Sequence, residues 1–122
     1  MTQSTGAGVK RISIQEAKDR LAAGGARVID IRMAFDYMGG RIPGSLNLPN
    51  NAIRARKGEV PEDVELLFLS ETGERSLAIA EMAIALGFER VANIEGGYDA
   101  WLAAGNEVET ISEGISSPFQ QG

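Results

Sequence analysis

An α/β fold with a parallel sheet flanked by helices is predicted by three features of this sequence. Helix and strand signals alternate along the chain, no internal repeat interrupts them, and residues 64–69 are apolar almost throughout. A short run of that kind suits a central parallel strand buried on both faces. The 122 residues are enough for one domain with one core, and 43% hydrophobic with 24% charged residues is an ordinary globular composition.

The elements follow in order. Ser13-Ile14-Gln15-Glu16 has the Ser-x-x-Glu spacing of a capping box, in which the two side chains each accept an N–H left unpaired at a helix start, so a helix is expected over residues 14–23. Gly24 and Gly25 can end it in the left-handed conformation, and residues 27–31 read as a buried strand with Asp30 near its carboxyl end. Residues 34–38 suit a short helix stopped by Gly39 and Gly40. Ile42-Pro43-Gly44 then turns the chain into a short strand at 46–48, closed by Pro49. The polar stretch 50–62, with Arg54, Arg56 and Lys57 solvated, is read as one weak helical turn and a surface loop. After the central strand, residues 76–86 form a small-residue-rich helix, apolar almost all round and expected to be mostly buried, with Gly87 as its stop. A strand at 90–94, the pair Gly96-Gly97 and a helix at 98–104 complete the domain, with Trp101 in the core. Residues 109–122 are read as a peripheral C-terminal tail.

Composition narrows the chemistry. A formal charge of −5 argues against nucleic acid or an anionic membrane as partner, since both favour a basic face. Residues 1–8 lack the basic and apolar regions of a secretory signal, so a cytoplasmic location is the default expectation. The most apolar stretch, residues 77–86, is interrupted by Glu81 and falls far short of the roughly 20 residues of a membrane span. With no cysteine there is no thiolate or disulfide, and with no histidine the usual general base and commonest metal ligand are missing. No cofactor and no metal site are expected.

Chemistry in an open α/β sheet gathers at the carboxyl ends of the strands, which directs attention to Ser70-Glu71-Thr72-Gly73-Glu74-Arg75-Ser76. A tight loop entering a helix points several N–H groups inward, and with the positive end of the helix dipole these make a concave site for negative charge. Gly73 permits the curvature, Arg75 offers a permanently charged planar donor, and Ser70 places a hydroxyl at the centre. Spacing alone favours an ordinary capped turn with solvated polar residues.

The same residues resemble the C-x-x-G-x-R-S active-site loop of rhodanese-like sulfurtransferases, with serine in place of cysteine. Asp30-Ile31-Arg32 is similar to that family's D-x-R strand end. Asp36-Tyr37-Met38-Gly39-Gly40-Arg41-Ile42-Pro43-Gly44-Ser45 resembles its E-Y-x-x-G-H-I-P-G-A segment, with Arg41 replacing the histidine, and Gly96-Gly97-Tyr98-Asp99-Ala100-Trp101 its closing G-G-x-x-x-W. The likeness covers residues 9–108. It implies a sheet of about five parallel strands with helices on both faces, and a transferable sulfur carried as a cysteine persulfide. Related phosphatases and arsenate reductases have one residue more between nucleophile and arginine and also need cysteine, so phosphatase chemistry is disfavoured. No G-x-S-x-G elbow surrounds Ser70 to suggest a serine hydrolase.

Serine cannot replace the cysteine. Its alcohol stays protonated at neutral pH, forms no persulfide, and has no histidine to activate it. Asp30 and Arg32 are expected to support the loop, Asp30 by accepting N–H bonds and Arg32 by pairing with a carboxylate such as Asp36. Arg41 is expected at the surface, or bringing positive charge to the loop's mouth. Glu71 and Glu74 should weaken anion binding, which disfavours thiosulfate and favours a cationic partner surface. Two readings of Ser70 stay open: a natural pseudo-enzyme with a binding or regulatory role, its partner a protein or small molecule, or a cytoplasmic sulfurtransferase whose cysteine has been replaced at position 70. Monomer and homodimer are both consistent with the likeness.

Overall fold

The computed structural model describes residues 9–110; the tail from 111 onward and the polar start at 1–8 lie outside the described residues. Five strands, β1 (Val9–Ile12), β2 (Ala26–Asp30), β3 (Leu46–Asn47), β4 (Glu65–Leu69) and β5 (Val91–Ile94), form one sheet in the order β1-β5-β4-β2-β3, every pair parallel. The helices are α1 (Ile14–Ala23), α2 (Ala34–Gly39), α3 (Glu74–Ala85) and α4 (Gly97–Ala103), with 3-10 turns at Ala52–Arg54 and Lys57–Glu59 between β3 and β4.

The apolar run of β4 takes the middle of the sheet because its alternating side chains feed two cores. Leu67 and Leu69 join Ala17 of α1 and Trp101 of α4 on one face, while Leu66 and Phe68 join Ala80 and Ala83 of α3 on the other. The capping box at the start of α1 is present in both directions: Ser13 Oγ accepts from Glu16 N at 3.1 Å, and Glu16 Oε1 accepts from Ser13 N at 2.9 Å.

Two features depart from the sequence reading. Of the five strands, β1 had no signal of its own in the residues. Its Val-Lys-Arg-Ile is half charged, with Lys10 and Arg11 exposed, as befits an edge strand whose charges discourage further pairing. The second concerns α3, which is not mostly buried. Only Ser76, Ala80 and Ala83 are fully enclosed, at the three-to-four-residue spacing of one helix face, and Ala78 and Ala85 face solvent. Small side chains let that one face lie close on the sheet, and exposed alanines cost the helix little.

Because every strand runs the same way, the segments leaving β2, β3, β4 and β5 emerge along one edge of the sheet. The loop at 70–76 lies on that edge.

Candidate functional site

Ser70 follows the last residue of β4 and is 1% exposed. Its Oγ accepts the N–H groups of Gly73 and Ser76, both at 3.1 Å, and donates to Ser76 Oγ at 3.0 Å. Ser76 Oγ donates in turn to Asn93 Oδ1 at 2.6 Å, and the Asn93 amide nitrogen donates to Gly73 O and to Glu95 Oε2. The direction of the whole chain is set at its end, since an amide nitrogen can only donate. Ser70 therefore has two donors coming in and its single proton going out.

The loop is held from outside by α4. Tyr98 N donates to Ser70 O at 2.8 Å and Asp99 N to Glu71 O at 3.0 Å. That approach requires a glycine at position 97, where φ is +62° and a Cβ would lie 2.3 Å from Ser70 O. Gly73 is the other constrained point, with φ of +93° and a Cβ that would meet Ile94 O at 2.9 Å.

Around this buried centre the charged residues pair with one another. Arg32 and Asp30 form a buried ion pair, Nη2 to Oδ2 at 2.8 Å, and Arg32 also donates to Gly40 O and lies 3.9 Å from the centroid of the Tyr98 ring. Burial pushes the Tyr98 hydroxyl above its ordinary range; Arg32 opposes this and Asp30 adds to it. Arg32 does not reach Asp36. The chain turns so sharply after β2 that the Arg32 backbone N–H and side chain both return to Asp30, while Asp36 sits exposed on α2. Asp30 in turn spends its side chain on Arg32 rather than on the loop's N–H groups.

Arg41 is neither at the loop's mouth nor freely exposed. Its backbone bridges antiparallel to Glu109, and its Nε donates to Glu109 Oε2 at 3.2 Å beside the Tyr37 ring. Glu109 lies one residue beyond the expected end of the domain.

The mouth of the loop is polar. Arg75 turns away from the centre, donating from Nη1 to Asn50 Oδ1 and from Nη2 to Glu71 Oε1, both at 2.9 Å. Partial burial pushes the Glu71 carboxyl up. Hydrogen bonds from Arg75 and the Glu71 N–H, with the charges of Arg75 and Arg32, outweigh that and hold it below the usual carboxylate range. Thr72 and Glu74 are exposed.

The model of the rhodanese-like domain matches residues 13–104. The chain belongs to the rhodanese-like domain family. It is 32% identical over 110 aligned positions to human thiosulfate:glutathione sulfurtransferase, spanning 79% of this chain and 96% of that protein. It is equally identical over 98 positions to a sulfurtransferase of Allochromatium vinosum, spanning 80% and 92%. Among solved structures, a rhodanese-related protein from Thermoplasma volcanium superimposes with a TM-score of 0.75 at 25% identity, over 82% of this chain and 97% of that one.

In this rhodanese-like domain the structure brings Ser70, Gly73 and Ser76 together at the centre and leaves Glu71, Thr72, Glu74 and Arg75 at the rim. Asn93, fully buried, is the participant that sequence reasoning passed over. Its signal was an amide within the otherwise apolar strand Val-Ala-Asn-Ile. A polar side chain buried there has to find partners, and its strand lies beside the loop.

Proposed function

We propose that this rhodanese-like domain does not transfer sulfur as it stands and uses its loop edge for binding, in a recruiting or regulatory role. The observation that carries the reading is the commitment of Ser70 Oγ: it accepts two N–H groups and donates its proton to Ser76 Oγ, which donates its own to the amide oxygen of Asn93, and neither partner is a base. An alcohol held this way gains no nucleophilic character, and no cysteine exists elsewhere to take over. Arg75, turned onto Glu71, is also not directed at an anion in the loop.

A second reading, that position 70 carries cysteine in the parent protein, draws support from the two N–H groups still converging there, as a thiolate would need. The coding sequence at position 70 decides between loss and replacement. Thiosulfate:cyanide sulfur transfer is the functional test. The chain as given should show none, and turnover by it would sink the proposal. Transfer appearing only in Ser70→Cys would identify an intact cradle lacking its nucleophile.

A further inference from the structure

The edge of the sheet that carries the loop also exposes apolar side chains. Helix α2 buries none of its residues: Phe35 is 86% exposed, Met38 47%, and Met33 at the helix N-cap 52%. An aromatic ring and two methionines on one short segment are the adaptable, high-area side chains that interfaces favour. This apolar surface is continuous with the loop, since Asn50 Nδ2 touches Met33 Sδ at 3.5 Å and Asn50 Oδ1 accepts from Arg75.

The charge along the same edge is mostly negative. The segments leaving β2, β4 and β5 carry Asp36, Glu71, Glu74, Glu95 and Asp99. Against them stand Arg75, bound to Glu71, Arg41, bound to Glu109, and Arg54 on the 3-10 turn after β3, while Arg32 is buried on Asp30.

We propose that this edge docks a basic protein segment bearing apolar side chains, which cover Phe35 and Met38 while its lysines or arginines meet Glu74 and its neighbouring carboxylates. Charge complementarity selects this occupant. A second copy of the chain, with a net charge of −5, would bring like charge to the edge, and so would an anionic lipid surface. The inference rests on the binding reading of the loop edge but not on the inertness of Ser70, so a sulfur-transfer assay and a binding assay fail independently.

The test is a titration of the ¹⁵N-labelled full chain with a synthetic peptide of alternating lysine and leucine, alongside a peptide of alternating glutamate and leucine. The basic peptide should shift the amides of residues 33–39 and 71–75. Phe35→Ser and Glu74→Lys should each weaken its binding about tenfold, Phe35→Ser with unchanged thermal melting and Glu74→Lys with a slightly lower one, since it puts a positive charge in the first turn of α3. Raising the salt should weaken it further. The proposal is overturned if the basic peptide leaves these amides unmoved at saturation, if the acidic peptide shifts them equally, or if Phe35→Ser binds as the parent does. It is equally overturned if sedimentation shows a dimer that Phe35→Ser abolishes, or if phosphatidylserine vesicles bind the edge and the basic peptide does not.

Discussion

The segments that leave β4 and β2 emerge on the same edge of the sheet and dispose of their side chains in opposite ways. After β4 the chain buries polar groups: Ser70 and Ser76 are at most 1% exposed, and with the buried Asn93 of β5 each hydroxyl and amide among them is matched by a partner. After β2, once Asp30 and Arg32 have paired, the chain exposes apolar groups on α2 that none of the described residues covers. Burying a polar group is tolerable only when its bonds are complete, so the first segment is rigidly specified. Leaving Phe35 in water contributes nothing to folding, and with Met33 and Met38 it makes an exposed apolar cluster of the kind that marks interaction sites.

The sharpest way to break the contrast is at the contact that locks the loop. Gly97→Ala drives a Cβ into the carbonyls of Ser70 and Glu71, and we expect a loss of about 3–5 kcal/mol, read from urea denaturation. Gly105→Ala separates backbone strain from collision, since Gly105 is also left-handed but has open space around it; a loss of about 1 kcal/mol is expected there. Equal losses at the two positions would remove the claim that α4 clamps the loop.

Asn93→Ala is expected to cost about 2 kcal/mol, because Ser76 loses its acceptor and Gly73 O its donor while both stay buried. Faster hydrogen exchange of the Gly73 and Ser76 amides should accompany the loss, and unchanged exchange would show that the network is not what orders the loop.

A smaller effect comes from pH at the rim. Since the Glu71 carboxyl is held low in the folded chain, its stabilising contribution is complete above the ordinary carboxylate range and disappears as pH falls through its folded value. Solvent exposure keeps that contribution small. An NMR titration should find the Glu71 midpoint below that of an unpaired glutamate and raised by Arg75→Gln. A midpoint indifferent to that substitution would rule out the pairing.

The smallest stability change is expected at α2, where Phe35→Ser should alter the free energy of unfolding by no more than about 0.5 kcal/mol. A clear destabilisation would mean that Phe35 serves the fold, and the contrast between the two segments would collapse.

Much of this architecture is legible without coordinates because it depends on short-range order. The capping box of Ser13 and Glu16, the two-sided apolar run of β4, and Gly24 at the end of α1 each show in residues that are close in sequence. The absences of cysteine and histidine are equally direct: they constrain chemistry whatever the fold.

Partnership across the sheet is different. Whether Arg32 meets Asp30 or Asp36, whether Arg41 reaches the loop or Glu109, whether Val9–Ile12 finds β5, and whether Asn93 lies beside Ser76 depend on distances between residues that composition and periodicity do not encode. The sequence by itself determined the fold class, the position of the loop and the absence of cysteine and histidine, because propensity and chemistry belong to single residues and close neighbours. Only the tertiary structure decided where each hydrogen bond of Ser70 goes and that Phe35 is left uncovered by the described residues, because burial and pairing are set by what distant segments bring alongside.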